Sequence, residues 1–414
     1  MVAGEKSPYS VALFDTFQTV PKDIWNDIAP WDNIFMQSPY LEIVESKNAG
    51  GMDFQYAIMF EENRAVGIGY FQIVDFQGEE LKAYVPANTF SGTLYTITSK
   101  LQRFLDSALN RISWKLLVSG NIFMTGEHGF YFREDIDQPE GLELVRLTMK
   151  QIVKERKDDK INAYLMMNLY EFETEGDYIL KNHSFRKIST DSDMILRVDS
   201  SWESYNDYIA DMSSKYRVRA KKVYKNSADL IVKELDCESL ETHKSRIEEL
   251  YLNVARKANF NLGYLTGDYF CELKRQLGKN YKVFAYFEPA SDDHTEGRMV
   301  GFITSFLQTS GLEVHYVGLE YSVQNKYKLF NRILFDNVDL AIKHRVKRVH
   351  YGRTAPEIKS TVGAVPEEMY SYLKHTGFLY NLLIKPLSSY IKPQEWIQRS
   401  PFKEKAAVQE EVSA

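Results

Sequence analysis

The chain has 414 residues and a formal net charge of −6 at pH 7, and 44% of its residues are hydrophobic. This length leaves room for two or three domains with packed cores. The negative charge argues against DNA as the main partner, and no apolar run is long enough for a membrane span. The two cysteines, Cys237 and Cys271, lack metal-binding or redox spacing, and the amino terminus lacks an apolar signal core. We therefore expect reduced thiols and a cytoplasmic location.

The first half of the chain predicts a mixed α/β unit. Its hydrophobic periods indicate a hairpin at 56–60 and 66–76, a crossover helix at 141–156, a buried strand at 161–169, a short helix ending in LKNHSF at 180–185, and a closing strand at 194–198. The segment 81–112 carries a helix-like apolar set and is interpreted as an insertion.

The second half opens with helices and then repeats that order. The predicted helices are 202–212, 213–225, 240–257 and 267–277, with a strand at 230–235. The repeat then follows as a hairpin at 281–287 and 299–307, a third strand at 312–319, a helix at 325–344, a strand at 346–351, a short helix ending in LKHTGF at 373–378, and a strand at 378–385. Two copies of one α/β unit are the simplest explanation. We predict domains at 1–199 and 200–390, followed by a tail at 391–414.

The segment 349–364, VHYGRTAPEIKSTVGA, is the strongest candidate site. An apolar strand ends at a glycine, and Arg353 follows at once. Ligands bind beyond the carboxyl ends of strands in open α/β sheets, so Arg353 is well placed to hold an anionic or carbonyl group. A structural corner closed by a salt bridge is the alternative interpretation.

This segment, with Arg353, Glu357 and Lys359, resembles the closing motif of the BioF2-like branch of the GNAT N-acyltransferases. The resemblance implies two tandem GNAT-like domains, of which the second transfers an acyl group from acyl-CoA to an amine. It implies that Arg353, Glu357 and Lys359 bind substrate. The sequence has no metal-binding motif, so we expect no metal. The first copy has MNLYEFE in place of a glycine-arginine turn, so we expect it to be structural.

The third strand of the second copy, LEVHYVGL at 312–319, supplies further candidates. In GNAT proteins the pantetheine arm of coenzyme A lies along this strand, and Gly318 with Leu319 marks either that close approach or a plain bulge. Glu320 at the strand end is the candidate base, with Tyr316 beside the substrate. His315 is either a second base or a core histidine.

Tyr372 in SYLKHTGF resembles the tyrosine that many GNAT enzymes use as a general acid. It stands one residue farther from Gly377 than in the usual pattern. That offset turns it by about 100° on a helix, so Tyr370 remains an alternative.

The segment SVQNKYKLF replaces the usual glycine-rich phosphate loop. Backbone N–H groups normally cradle the pyrophosphate there. Without glycines, Gln324, Asn325 and Lys326 are the candidate coenzyme ligands through their side chains. The departure weakens the expectation of acetyl-CoA in particular.

The helix at 213–225 is basic, with Lys215, Arg219 and Lys222 on one face. It resembles the basic helix that opens the second domain of Fem-type aminoacyl transferases, which implies that it binds a coenzyme phosphate or a tRNA; a solvated face is the alternative. Two other functions therefore stay open: Fem-like aminoacyl transfer from tRNA, and ligand binding without turnover. The acidic loop SDDHTE at 291–296 is interpreted as a solvated hairpin tip rather than a metal site.

Overall fold

The computed structural model describes residues 8–47, 52–78, 110, 112–189, 191–257, 263–290, 297–382, 384 and 396–403. Two mixed sheets with helices on their faces form the chain, which confirms the predicted α/β class. Nearly all of the predicted insertion at 81–112, and the whole acidic loop at 291–296, lie outside the described residues. None of the helices described is both long and apolar enough to span a bilayer.

The first half contains the predicted hairpin, crossover helix and buried strand. Its elements are β1 Tyr9–Phe14, α1 Lys22–Ile28, α2 Ser38–Ser46, β2 Asp53–Glu61, β3 Arg64–Gln77, β4 Ser113–Ser119, β5 Phe130–Phe132, α3 Gln138–Glu155, β6 Ala163–Tyr170, α4 Tyr178–Asn182, β7 Arg186–Ser189 and β8 Asp193–Arg197. Helix α3 begins after Asp137, whose side chain accepts the N–H of Glu140 at 2.8 Å. It buries Leu142, Val145 and Met149 at helical spacing.

The second half follows the predicted order as far as β13, although the helices predicted at 240–257 and 325–344 are each divided. Its elements are α5 Tyr205–Asp211, α6 Ser214–Asn226, β9 Ile231–Glu234, α7 Cys237–Thr242, α8 Lys244–Ala255, α9 Gly267–Leu277, β10 Tyr281–Phe287, β11 Met299–Leu307, β12 Leu312–Leu319, α10 Tyr321–Tyr327, α11 Leu329–Lys343, β13 Arg348–His350, α12 Pro356–Ser360, β14 Val365–Glu367 and β15 Met369–His375. The helix predicted at 325–344 is two helices, because Lys328 adopts left-handed backbone angles with φ 50°.

Each sheet contains a strand from the other half of the chain. The first sheet has the order β1-β2-β3-β4-β6-β15-β7 with β5 beside β3, and the second has the order β14-β8-β13-β12-β11-β10-β9. The prediction that 194–198 closes the first copy is therefore wrong, because β8 pairs with β13 and β14. In return, β15 lies between β6 and β7 of the first sheet. The predicted boundary at residue 199 therefore does not separate the two sheets, because β8 and β15 each belong to the sheet of the other half.

The end of the second half differs from the prediction. Half of the predicted short helix at 373–378 lies on strand β15, and the predicted strand at 378–385 is helical at 378–382. Part of the predicted tail is packed: the ring of Phe402 lies 5.5 Å from that of Trp202, and Phe402 pairs with Met212 through an isolated bridge. Residues 391–395 and 404–414 lie outside the described residues.

One continuous core joins the two halves. Phe35 and Tyr40 of the first half place their ring centroids 5.0 and 5.8 Å from that of Phe306 on β11. The same buried cluster contains residues of both sheets. The halves therefore meet through packed aromatic side chains, and the polar cleft described below lies at the edge of this contact.

Strand β12 leaves its parallel neighbour soon after it begins. It pairs with β13 only through Leu312 and Glu313. In the described part of the chain no strand covers that edge of β12 beyond Glu313. A bulge places His315 and Tyr316 opposite Thr304, whose hydroxyl accepts the N–H of Tyr316 at 3.1 Å. The strand therefore contains a bulge, but the bulge lies at His315 and Tyr316 rather than at Gly318, where the sequence suggested it.

Candidate active site

A polar cleft of about 590 Å³ lies between the two halves. Its walls come from the first half, through Asn33, Glu127 and Tyr170, and from the second half, through Glu313, Arg348 and His350. Ligand sites are typically clefts of this size that hold a few convergent polar groups. The cleft is therefore the first place to look for chemistry in this fold.

His350, the last residue of β13, stands between two carboxylates in this cleft. Its Nδ1 lies 2.9 Å from Oδ2 of Asp193, and its Nε2 lies 3.5 Å from Oε1 of Glu313. Burial alone would lower the pKa of His350, but the two carboxylates outweigh burial and raise the pKa to about 9. His350 is thus protonated at neutral pH.

Asp193 reaches His350 only because strand β8 is exchanged into the second sheet. Its side chain is fully buried, accepts the Tyr170 hydroxyl at 2.9 Å, and accepts the N–H of Gly352 at 3.0 Å. Burial would raise the pKa of Asp193, but the hydrogen bonds from His350 and Tyr170 outweigh burial and hold it below its usual range. A fixed, ionised Asp193 orients the imidazole ring.

Glu313 is the carboxylate of this cluster that faces the cleft with few partners. Burial raises its pKa to about 7, with Asp193 and Glu127 adding to the shift and His350 opposing it. Its side chain is 16% exposed, so the carboxylate is within reach of a ligand. A carboxylate that titrates near pH 7 can serve as a general base there.

The first half contributes a second buried carboxylate, Glu127. Its Oε2 accepts the amide of Asn33 at 2.7 Å, and its Oε1 accepts the N–H of Gly129 at 2.9 Å. Burial raises the pKa of Glu127. Behind it, Nε2 of His128 lies 3.1 Å from Glu173. The first half therefore supplies an ionisable group, Glu127, to the lining of the cleft.

The glycine-arginine turn lies against the first half. Gly352 has φ 74°, and a Cβ there would lie 3.4 Å from the hydroxyl of Thr125, which lines the cleft. Arg353 is half-buried and makes no hydrogen bond or ion pair with any other described residue. Its charge acts on Lys359 and Tyr316.

Lys359 is buried behind this turn, whereas Glu357 is not part of the site. The ammonium of Lys359 donates to the carbonyl of Gly352 at 3.0 Å. Burial lowers the pKa of Lys359 to about 7, with Arg353 adding to the shift and Asp193 opposing it. Glu357 instead pairs with Arg399 of the carboxyl-terminal segment. The alternative interpretation, a corner closed by a salt bridge, therefore holds at Glu357. Arg353 has no ion pair with another described residue.

The predicted base Glu320 does not line the cleft. It caps helix α10, where Oε1 accepts the hydroxyl of Ser322 at 2.9 Å, and its Oε2 accepts from Arg246 at 3.0 Å. Burial would raise its pKa, but the hydrogen bonds from Arg246 and Ser322 lower it. This environment makes Glu320 a weaker base than a free carboxylate.

His315 and Tyr316 lie in the aromatic core. Burial pushes the pKa of His315 well below its usual value, and its ring lies 4.8 Å from that of Phe306 and 4.4 Å from that of Tyr316. The core alternative therefore describes His315. The Tyr316 hydroxyl donates to the carbonyl of Phe123 at 3.3 Å and so joins the two halves.

Tyr372 lies in a different sheet from the predicted residues on β12. It lies on β15 in the first sheet, fully buried, and its hydroxyl donates to Asp177 at 2.9 Å. The alternative, Tyr370, donates to Glu368 at 2.6 Å. The helical spacing on which both assignments relied does not exist, because this segment is a strand.

The predicted coenzyme ligands are arranged differently from a phosphate loop. Gln324 caps α11 by accepting the N–H of Phe330 at 3.1 Å, Asn325 is exposed, and Lys326 lies 3.4 Å from Glu288. Gly318 is needed because a Cβ there would lie 2.1 Å from the ring of Phe302, and Leu319 is buried. At the start of α11, one backbone N–H that a pyrophosphate could use is thus already bonded to the Gln324 side chain.

Sequence reasoning missed Asp193, Glu313, His350, Tyr170 and Glu127. His350 directly precedes the glycine-arginine turn, which is a signal that could have been used. Asp193 offered none, because its role depends on the strand exchange. The described residues hold no cluster of three or more His, Cys, Asp or Glu arranged for a metal ion.

Comparison with solved structures assigns the fold. FemX superposes with a TM-score of 0.52 at 11% identity, over 91% of this chain and 99% of the FemX chain. A tandem GNAT protein from the clavulanic acid biosynthesis pathway superposes with a TM-score of 0.50 at 8% identity, over 89% of this chain and 99% of that one. No protein-family model and no curated protein sequence matches this chain. The chain therefore has the same overall fold as FemX and the tandem GNAT protein.

Proposed function

We propose that this protein is an N-acyltransferase that moves an acyl group from an activated donor to an amine in the cleft between its halves. The observation that carries the proposal is Glu313, a cleft-facing carboxylate whose pKa is raised to about 7 beside the Asp193–His350 pair. An acceptor amine is protonated at neutral pH and must lose a proton before it can attack. Glu313 has the position and the basicity for that step.

Each of these residues has its own role in the proposed reaction. Glu313 takes a proton from the acceptor ammonium, the free amine attacks the donor carbonyl carbon, and a C–N bond forms. His350 stays charged and holds Glu313 in place. Arg353, which has no ion pair with another described residue, offsets the negative charge of the tetrahedral oxyanion. The C–S or C–O bond to the leaving group then breaks as the proton on Glu313 passes to that group. The freed Glu313 carboxylate takes the second proton from the attacking nitrogen, which leaves a neutral amide.

An acyl-CoA is the first donor that we propose. The uncovered edge of β12 beyond Glu313 is the kind of gap that accommodates a pantetheine arm as an extra strand. The segment that would hold the pyrophosphate does not fit a backbone cradle, because 321–327 is helical and Gln324 closes the start of α11. Phosphate recognition would have to come from side chains elsewhere.

Aminoacyl-tRNA is the second donor, and helix α6 favours it. Lys215, Arg219, Lys221, Lys222 and Lys225 are all exposed, and none has an ion-pair partner among the described residues. Such a surface attracts a polyanion.

The donor can be identified by ligand-induced stabilisation. A ligand that binds only the folded state at 100 times its Kd adds about 2.7 kcal/mol of stability. We expect a long-chain acyl-CoA to raise Tm by a few degrees and acetyl-CoA to raise it less, in a thermal-shift panel that also contains aminoacyl-tRNA. A shift with aminoacyl-tRNA alone selects the second donor, and no shift with either selects binding without turnover.

A triple variant serves as the control for this panel. Changing Lys215, Arg219 and Lys222 to Gln keeps helix propensity and removes three positive charges. If α6 binds the donor, affinity falls and its dependence on salt becomes shallower. An unchanged salt dependence would identify α6 as a solvated face.

A further inference from the structure

The cleft is lined by both carboxylates and cations. Asp32, Glu127 and Glu313 supply the carboxylates, and Lys347 and Arg348 supply cations in addition to His350. Lys347 and Arg348 are both exposed, and neither has an ion pair with another described residue. Unpaired cations beside carboxylates in a ligand-sized cleft are available to an anionic group of a ligand.

Arg348 and His350 project from the same face of β13, because side chains alternate along a strand. Val349 between them is fully buried on the opposite face. Arg348 lies close enough to lower the pKa of His350. The neighbouring Arg197 on β8, directly opposite Arg348, is already paired with Glu367 at 3.0 Å. Arg348 is therefore the cation of this strand pair that remains for a ligand.

Glu127 comes from the first half and Glu313 from the second, and both line the same cleft. The charge of Glu127 helps to raise the pKa of Glu313, which shows that the two groups lie within electrostatic reach of one another. Asn33 and Gly129 hold Glu127 in position. A cation in the cleft would be attracted by both carboxylates.

We infer that the acceptor carries an anionic group on the same molecule as its amine, with the ammonium at Glu127 and Glu313 and the anion at Lys347 and Arg348. This inference rests on the proposed function. The ligand class is a zwitterion of the amino-acid type, in which the anion is a carboxylate or a phosphate. A simple alkylamine would contact only the carboxylates and would leave Lys347 and Arg348 without an anionic group to bind.

The test is a binding measurement that needs no turnover. A series of ω-amino acids from 4-aminobutanoate to 8-aminooctanoate is titrated into the full chain by calorimetry, each beside its neutral ω-amino amide. The amides match the acids in shape and differ by one charge. We expect one chain length to bind best, and its acid to bind about tenfold more tightly than its amide, as a charged hydrogen bond predicts. The matching ω-aminoalkyl phosphonate distinguishes phosphate from carboxylate.

Two variants locate the anion. In Arg348→Gln the preference for the acid should fall to about twofold or less, while the amide binds as before. Arg197→Gln removes an equal charge from the adjacent strand and should leave the preference intact. Equal binding of acid and amide by the unchanged chain, a preference that survives in Arg348→Gln, or no binding at any length would each overturn the inference. Transfer activity is measured separately, so a failure of the proposed reaction is visible on its own.

Discussion

Replacing Glu313 by Gln should lower kcat by roughly 10²–10⁴-fold and leave the fold intact. The change is nearly isosteric and removes the group that accepts the amine proton. In the unchanged protein, kcat/KM should rise with pH through about 7, the pKa to which burial raises Glu313. The ionised carboxylate is the active form, so activity is lost as pH falls. In the variant this rising limb should disappear.

The matched control is Glu320→Gln. Glu320 is paired with Arg246 and caps α10, so its loss should change kcat by less than tenfold and act mainly on stability. Steady-state kinetics over a range of pH, with Tm recorded for each variant, distinguishes a loss of catalysis from a loss of stability. Full activity in Glu313→Gln together with a large loss in Glu320→Gln would restore the base predicted from sequence.

Splitting the chain between residues 199 and 200 should leave neither fragment able to fold alone. The first fragment keeps β8 but loses β15, and the second keeps β15 but loses β8. Each missing strand lies between two others, so its loss exposes two rows of unpaired backbone groups and unfilled core, including the site of the fully buried Tyr372. That cost is comparable to the whole stability of a domain, on the order of 5–15 kcal/mol.

Co-expression of the two fragments should restore the protein, because each carries the strand that the other lacks. Circular dichroism during heating should show no cooperative transition for either fragment and one transition for the purified pair. A chain that ends at residue 403 is the control and should melt like the full chain. Cooperative melting of one fragment alone would show that its half is an independent domain.

Local pattern predicted much of the fold. Alternation and helical spacing located both hairpins, helix α3, strand β6 and helix α9, because burial of one face determines these periods. Pattern did not predict the strand exchange. The residues of β8 have the same alternation whichever sheet they join, and their partners are set by contacts distant in sequence.

The candidate site was predicted only in part for the same reason. The glycine-arginine turn with Arg353 and Lys359 was located from sequence, since a strand end is a local feature. Glu313 was passed over for Glu320 because the sequence does not show that β13 brings His350 beside Glu313. The assignment of Tyr372 required a helix where β15 forms a strand.

The central claim is that chemistry occurs in the cleft between the halves rather than at the end of β12. Hydrogen–deuterium exchange with the acceptor amine identified by the transfer assay tests this most directly. The account predicts slower exchange in peptides covering 125–131, 308–313 and 347–353, with little change in 321–330. Protection confined to 316–330, with the cleft peptides unchanged, would contradict it.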